Sequence, residues 1–457
     1  MNVHIRDLEA RIAEGENMNL EFKETLPPDS KKWAKTVVAF ANGSGGTLLI
    51  GVSNDGRIVG VPEEEVYGMC DGVIDAISNI CHPQISVFHS IEAIDGKAVI
   101  AFDVYPGAYR PYHVRSEGEV DGVYVRIDAT TRHDDPHMLH ELKLQGAGRT
   151  FDSLICPDMA VTSKNTSHIC GSLSKVKDRQ ITETDLMNWG VIRSREGRLE
   201  STNAYALLLN ENPFASAEVR CAVFDDDAGL LFVDQGDYTG SICDQVENAC
   251  SFVFKNLRLS GKVEGIHRVD RYEIPESAIR EAIINAVVHR SYAYDVMSIS
   301  VALYNDRLEV TSPGGVYGSL GLESVMAGRS IRRNPIIARA FRMAGYSEGW
   351  STGIRSIASS CKEYGLPDPK FIDNGLDFKV VLYKKVHDGN SSQSFDLKEG
   401  IMKCMEGNDQ LRIKDLAESC DVSEKTIKRY IRDLKDEGMI HREGNAKSGR
   451  WIVNRKH

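Results

Sequence analysis

The chain has 457 residues and a net charge of −11. At roughly 100–200 residues per domain, that length suggests about three domains, and the acid excess excludes a protein coated uniformly in basic charge. No apolar run approaches the ~20 residues of a membrane span, and the first residues lack an apolar signal core, so a cytoplasmic protein without a membrane partner is expected.

The first 145 residues read as one α/β domain. Ile5, Leu8 and Ile12 give a helix over 1–14, followed by a loop at Glu16 and a strand near Leu20. Residues 29–42 are helical, Gly43-Ser-Gly-Gly is a turn, and 47–52 is a buried strand. Asn54-Asp-Gly is a strong hairpin signal, so Arg57 to Val61 is expected to return as the partner strand. A helix over 63–81 and strands over 85–94, 97–105 and 122–126 follow.

Residues 150–270 read as a connecting α/β region. It contains helices over 182–189, 203–209 and 240–256 and strands over 219–224 and 230–233. The stretch 271–386 opens with a helix over 274–290. Glu281, Asn285 and His289 recur every four residues and share one side, while Ile279, Ile283, Ala286 and Val287 form the buried side. Strands over 298–304 and 306–311 lead into Ser312-Pro-Gly-Gly.

A polar linker over 387–395 precedes the last unit, 396–457. That unit holds 14 Lys+Arg against 12 Asp+Glu, so it is +2 while the rest is −13. Two helices, a turn at Asp421, an N-cap at Ser423 and a third helix precede two short strands, the pattern of a winged helix-turn-helix. Ile427, Tyr430, Ile431 and Leu434 make the buried stripe of the third helix. Lys425, Thr426, Lys428, Arg429 and Arg432 face away from it, as DNA recognition requires. Arg442, Lys447 and Arg450 on the wing can reach phosphates. Asp433, Asp436 and Glu437 dilute this charge, so a winged helix serving protein contacts is the alternative. The ten cysteines contain no Cys-x-x-Cys pair, which argues against a zinc ribbon or a thioredoxin-type site.

The run from Leu20-Glu-Phe-Lys-Glu through Ala39-Phe-Ala-Asn-Gly-Ser-Gly-Gly-Thr-Leu-Leu-Ile-Gly-Val to Ser53-Asn-Asp-Gly-Arg-Ile-Val-Gly resembles the AlbA-type domain shared with Schlafen proteins. The resemblance implies DNA binding. In some Schlafens it implies a metal-dependent RNA-cleaving site of two glutamates and an aspartate. Glu16 and Glu21 match the glutamate pair by spacing, and Asp55 is the nearest aspartate, although the acidic position can also fall on Asn54. The plainer alternative is an ion pair between Glu21 and Lys23, with Asp55 as a turn residue.

Glu281-x-x-x-Asn285 resembles the N-box of the gyrase, histidine-kinase and MutL ATPase superfamily. Arg280-Glu-Ala-Ile-Ile-Asn-Ala-Val-Val-His-Arg, Asp306-Arg-Leu-Glu-Val-Thr-Ser-Pro-Gly-Gly, Arg333-Asn-Pro, Gly349-Trp-Ser-Thr-Gly and Tyr364-Gly-Leu-Pro-Asp-Pro are similar to the histidine-kinase-like ATPase domain labelled RecG-like C-terminal. That resemblance implies an α/β sandwich that binds ATP and Mg2+. In it Asn285 holds the metal and Glu281 is a general base. Gly314 and Gly315 allow close backbone approach to the nucleotide, and Gly349 and Gly353 lie near the phosphates. Ser312 stands where the superfamily reads adenine with an aspartate. No Gly-x-x-x-x-Gly-Lys-Ser/Thr phosphate loop is present, which argues against helicase action.

The expected protein is therefore an α/β multidomain DNA-binding transcriptional regulator. It has an AlbA-like domain, a nucleotide-binding ATPase-like sandwich and a winged helix, and it forms a homo-oligomer. Two alternatives stand: a Schlafen-like ribonuclease acting on RNA, and an ATPase driving assembly on nucleic acid.

Overall fold

The computed structural model describes residues 2–175, 179–225, 231–264, 267–346, 353–384, 401–402, 404–405, 413–419, 424–436, 439–443 and 450–453. They fall into two compact units, Met1–Lys384 and Lys385–His457.

The first unit begins with a four-stranded sheet in the order Leu20–Lys23, Gly46–Ile50, Lys97–Val104, Val87–Ile94. The first two strands are parallel, with Leu20 opposite Thr47. Parallel neighbours need a crossover, and the helix Ser30–Asn42 supplies it, capped by Asp29, which accepts from the Lys31 N–H at 3.1 Å. This helix is buried along most of its length because it is enclosed by the sheet and by the hairpin Tyr124–Ile127/Thr130–His133.

The turn at Asn54-Asp-Gly forms, with Gly56 N–H bonded to Ser53 O at 2.8 Å, but its expected partner strand does not. Val52 and Ile58 share one isolated bridge, and the antiparallel neighbour of Gly46–Ile50 is Lys97–Val104. Gly60 has φ +83°, which breaks extended backbone. The Lys97–Val104 strand instead offers buried Val99, Ile100, Ala101 and Phe102.

Asp134 follows the hairpin, and its side chain is only 2% exposed. Burial raises its carboxyl from 3.8 to about 6, opposed by His133. The folded chain therefore binds a proton there that the unfolded chain has released. This contribution to stability is full below pH 3.8 and is lost as pH rises through about 6. Asp134→Asn is expected to flatten the stability profile between these pH values in urea titrations. An unchanged profile would refute this assignment.

The remainder of the unit is built on a six-stranded sheet in the order Phe232–Tyr238, Val219–Phe224, Ile299–Leu303, Arg307–Pro313, Asp377–Tyr383, Lys370–Asp373. Only Val219–Phe224 and Ile299–Leu303 run parallel. The chain between them includes the helices Ile242–Asn256 and Glu276–His289. Residues 150–270 thus supply two of the six strands, and one hydrophobic core runs from Ile169 to Leu382. Buried Asp152 ties this stretch to the helix Pro335–Ala344, accepting from the Ile336 and Ile337 N–H groups at 2.7 and 3.1 Å.

The second unit has its own core of Ile401, Met405, Leu416, Ala417, Ile427, Ile431, Leu434, Ile440 and Trp451. These come from the helices Ile413–Ser419 and Glu424–Asp436 and the antiparallel pair Ile440–Glu443/Arg450–Val453, with 401–402 and 404–405 also helical. The expected linker over 387–395, the Asp421 turn, Ser423 and Lys447 lie outside the described residues. Among the described residues, no helix is long and apolar enough to cross a membrane.

Candidate functional site

The helix Glu276–His289 crosses the six-stranded sheet and packs beside Ile242–Asn256 and Gly353–Glu363. Ile279, Ile283, Ala286 and Val287 are buried, as the helical spacing requires. Glu281, Asn285 and His289 are partly buried and line a cavity of about 440 Å³, within the size range of small-molecule sites.

Asn285 Nδ2 donates to Glu281 Oε1 at 3.1 Å. Gly353 stands directly against this pair: a Cβ there would lie 2.5 Å from Glu281 Oε1 and 2.9 Å from Asn285 Nδ2. His289 occupies the next turn. Burial lowers its pKa to about 4, and Arg333 and Arg332 push it the same way, so the ring is neutral near pH 7.

Ser312 is buried, and its hydroxyl donates to the Ala286 carbonyl at 2.7 Å. Its proton therefore locks strand to helix. Gly314, at φ +90°, and Gly315 also line the cavity. Their lack of side chains has a local cause: a Cβ on Gly314 would sit 2.6 Å from Arg333 Nη1, and one on Gly315 would collide with Asp373 Oδ1. Gly349 lies outside the described residues.

Arg333 holds the glycine turn in place. It is 7% exposed; its Nη2 donates to Gly315 O at 2.9 Å and its Nη1 to His289 O at 2.7 Å and to Gly314 O at 3.3 Å. Its Nε donates to Glu141 Oε1 at 2.6 Å, on the helix Pro136–Gly146, and Ser291 Oγ donates to the other Glu141 oxygen at 2.8 Å. A residue that follows the N-terminal sheet thereby reaches the wall of the cavity.

Sequence reasoning missed the cavity's charge. Arg280, Arg329, Arg332, Arg333 and Arg342 line it, against Glu281 as the one carboxylate among the described lining residues. Arg280 pairs with Glu247 at 3.8 Å. Among the described residues, no carboxylate pairs with Arg329, Arg332 or Arg342. The cluster Arg329, Arg332 and Arg333 ahead of Asn-Pro was the available signal. Converging guanidiniums around a polar floor favour a polyanion.

The N-terminal carboxylates are engaged separately. Glu16 Oε1 accepts from the Phe22 N–H at 2.8 Å. Glu21 pairs with Lys23 at 2.6 Å and with buried Arg126 at 2.7 Å. Asp55 accepts from Ser53 Oγ at 2.5 Å and pairs with Arg57 at 2.7 Å; these partners, Ser53 first, hold its pKa down at about 2. Among the described residues, no group of three His, Cys, Asp or Glu side chains is placed to hold a metal ion.

On the winged helix, Lys428 and Arg432 are exposed while Ile427, Ile431 and Leu434 face the core, and Arg450 is exposed at the start of the last strand. The side chains of Lys425, Thr426, Arg429 and Arg442 lie outside the described residues.

Three segments match known families. Residues 16–134 match the Schlafen AlbA_2 family. Residues 297–382 match the family described as ATP-dependent DNA helicase recG C-terminal. Residues 396–441 match the winged helix-turn-helix DNA-binding family. The chain thus carries an AlbA_2 segment, an ATPase-like segment and a DNA-binding winged helix, in that order. No curated protein matches it. Among solved structures it is similar to the DIP2311 protein from Corynebacterium diphtheriae, at 18% identity and a TM-score of 0.43, over 99% of this chain and 96% of that one.

Proposed function

We propose that the protein is a DNA-binding transcriptional regulator whose central cavity binds ATP with Mg2+. The arginine-lined cavity around Glu281 and Asn285 carries the nucleotide half of this reading. Its volume suits a nucleotide, its guanidiniums suit the phosphates, and the Glu281–Asn285 pair lines it.

Asn285 spends its amide N–H on Glu281, which leaves the carboxamide oxygen for a metal ion. A magnesium ion bound there would neutralise phosphate charge. Glu281 is the carboxylate that lines the cavity and would orient a water molecule. Neutral His289 adds no charge to the floor of the cavity. Because the Ser312 proton is committed to Ala286, base recognition at this position falls to the hydroxyl's lone pairs. The winged helix would dock on duplex DNA through the exposed face of Glu424–Asp436, and a homodimer would pair two such helices on two half-sites.

The DNA half is tested by fluorescence anisotropy with a mixed-sequence duplex over a range of salt. Lys428→Ala plus Arg432→Ala is expected to weaken binding and to reduce the salt slope by about 2, one for each phosphate that these two cations neutralise. Binding and slope equal to the parent's would sink the assignment of this face.

A further inference from the structure

Behind the glycine turn lies a second, smaller chamber of about 100 Å³. Gly314, Gly315 and Arg333 form one wall, and Gly43, Ser44 and Gly45 of the N-terminal domain form another. Arg110, Arg126 and Arg333 all line it, and they are only 8%, 5% and 7% exposed.

A buried cation needs a compensating charge. Arg333 has Glu141 at 2.6 Å, and Arg126 has Glu21 at 2.7 Å. Arg110 differs: its Nη1 donates to Gln145 Oε1 at 2.5 Å and its Nη2 to Gly43 O at 2.6 Å, and both acceptors are neutral. No carboxylate pairs with Arg110 among the described residues. The Nε atoms of Arg110 and Arg126 are buried and have no acceptor.

The carboxylates in the lining are already engaged. Glu141 is taken by Arg333 and Ser291. The two oxygens of Asp373 accept from the N–H groups of Gly375 and Val316 at 3.0 and 3.2 Å. The chamber is therefore lined by three guanidiniums against two carboxylates, and Arg110 is the guanidinium without a carboxylate partner among the described residues. A cation would add to this excess, whereas an oxyanion answers it. A water molecule needs roughly 10–15 Å³ of such space, so the chamber is large enough for a tetrahedral oxyanion.

We propose that this chamber is a binding site for a phosphate-class oxyanion, with Arg110 as its anchor. Bound there, the anion bridges the N-terminal domain to the wall of the glycine turn. The site does not depend on a nucleotide occupying the larger cavity.

The test is thermal unfolding of the full chain with inorganic phosphate, with chloride at matched ionic strength as control, alongside phosphorus NMR line broadening. A saturable, phosphate-specific rise in Tm is expected. Arg110→Gln should weaken phosphate binding by about tenfold or more, as loss of a charged donor does, and Arg110→Lys should keep part of it. Ser44→Leu, which fills the chamber and keeps all three arginines, should also abolish the rise and remains informative if Arg110→Gln fails to fold. Gly353→Val, which obstructs the larger cavity, should leave the rise intact. A rise no larger than chloride's means that the chamber holds only water and overturns the proposal. A rise that survives both Arg110→Gln and Ser44→Leu overturns it as well, and a rise lost in Gly353→Val assigns the phosphate to the larger cavity instead.

Discussion

Arg333→Met is expected to destabilise the unit Met1–Lys384 by about 3–5 kcal/mol, the range for removing one partner of a buried ion pair. The substitution leaves Glu141 14% exposed without its cation. It also strips donors from the carbonyls of His289, Gly314 and Gly315. An unmet buried acceptor costs about 1–3 kcal/mol on its own, so the pair and the turn fail together. Glu141→Gln in the same background should recover part of the loss, because it removes the stranded charge. A double-mutant cycle in urea isolates the coupling. A loss below about 1 kcal/mol would show that Arg333 is dispensable to the turn. The same variant should weaken nucleotide binding, since the wall it supports faces the cavity.

How much of this was legible in the sequence follows from the range of each interaction. The helix Glu276–His289 announces itself because its apolar period is local, and so does the winged-helix core around Ile427, Ile431 and Leu434. The Asn54-Asp-Gly turn was also local and also forms, yet its strand partner lies beyond residue 96, a choice made by the apolar ladder of Lys97–Val104. The site itself depends on pairings that no local pattern encodes. Arg126 meets Glu21 across 105 positions, and Arg333 meets Glu141 across 192. Glycine readings suffered similarly. Gly314 and Gly315 carry the spacing of a nucleotide turn, but the groups that forbid a Cβ there are Arg333 and Asp373. The elements of residues 150–270 were partly legible, but not their place in the sheet, because Val219–Phe224 pairs with Ile299–Leu303, far along the chain.

Gly353→Val should abolish or severely weaken ATP binding while the protein stays folded. The added Cβ would stand 2.5 Å from Glu281 Oε1, closer than atoms tolerate, so the Glu281–Asn285 pair must break or swing into the cavity. The obstructed atoms are the ends of flexible side chains, so the cost to stability is that of modest overpacking, about 1–3 kcal/mol. The cost to binding is larger in kind. The carboxamide that would meet the metal ion and the carboxylate that would orient water are displaced at once, and the valine branches occupy the space in front of them. Gly353→Ala should fall between valine and the parent. Adding Glu281→Ala to Gly353→Ala removes the shorter of the two close contacts, leaving the one with Asn285 Nδ2, and should restore part of the folding stability, but not the binding that depends on an ordered Asn285. Calorimetric titration with Mg-ATP separates these outcomes. If Gly353→Val binds as tightly as the parent, the nucleotide does not occupy this cavity. If the parent itself binds none, the arginines around the cavity serve a different anion.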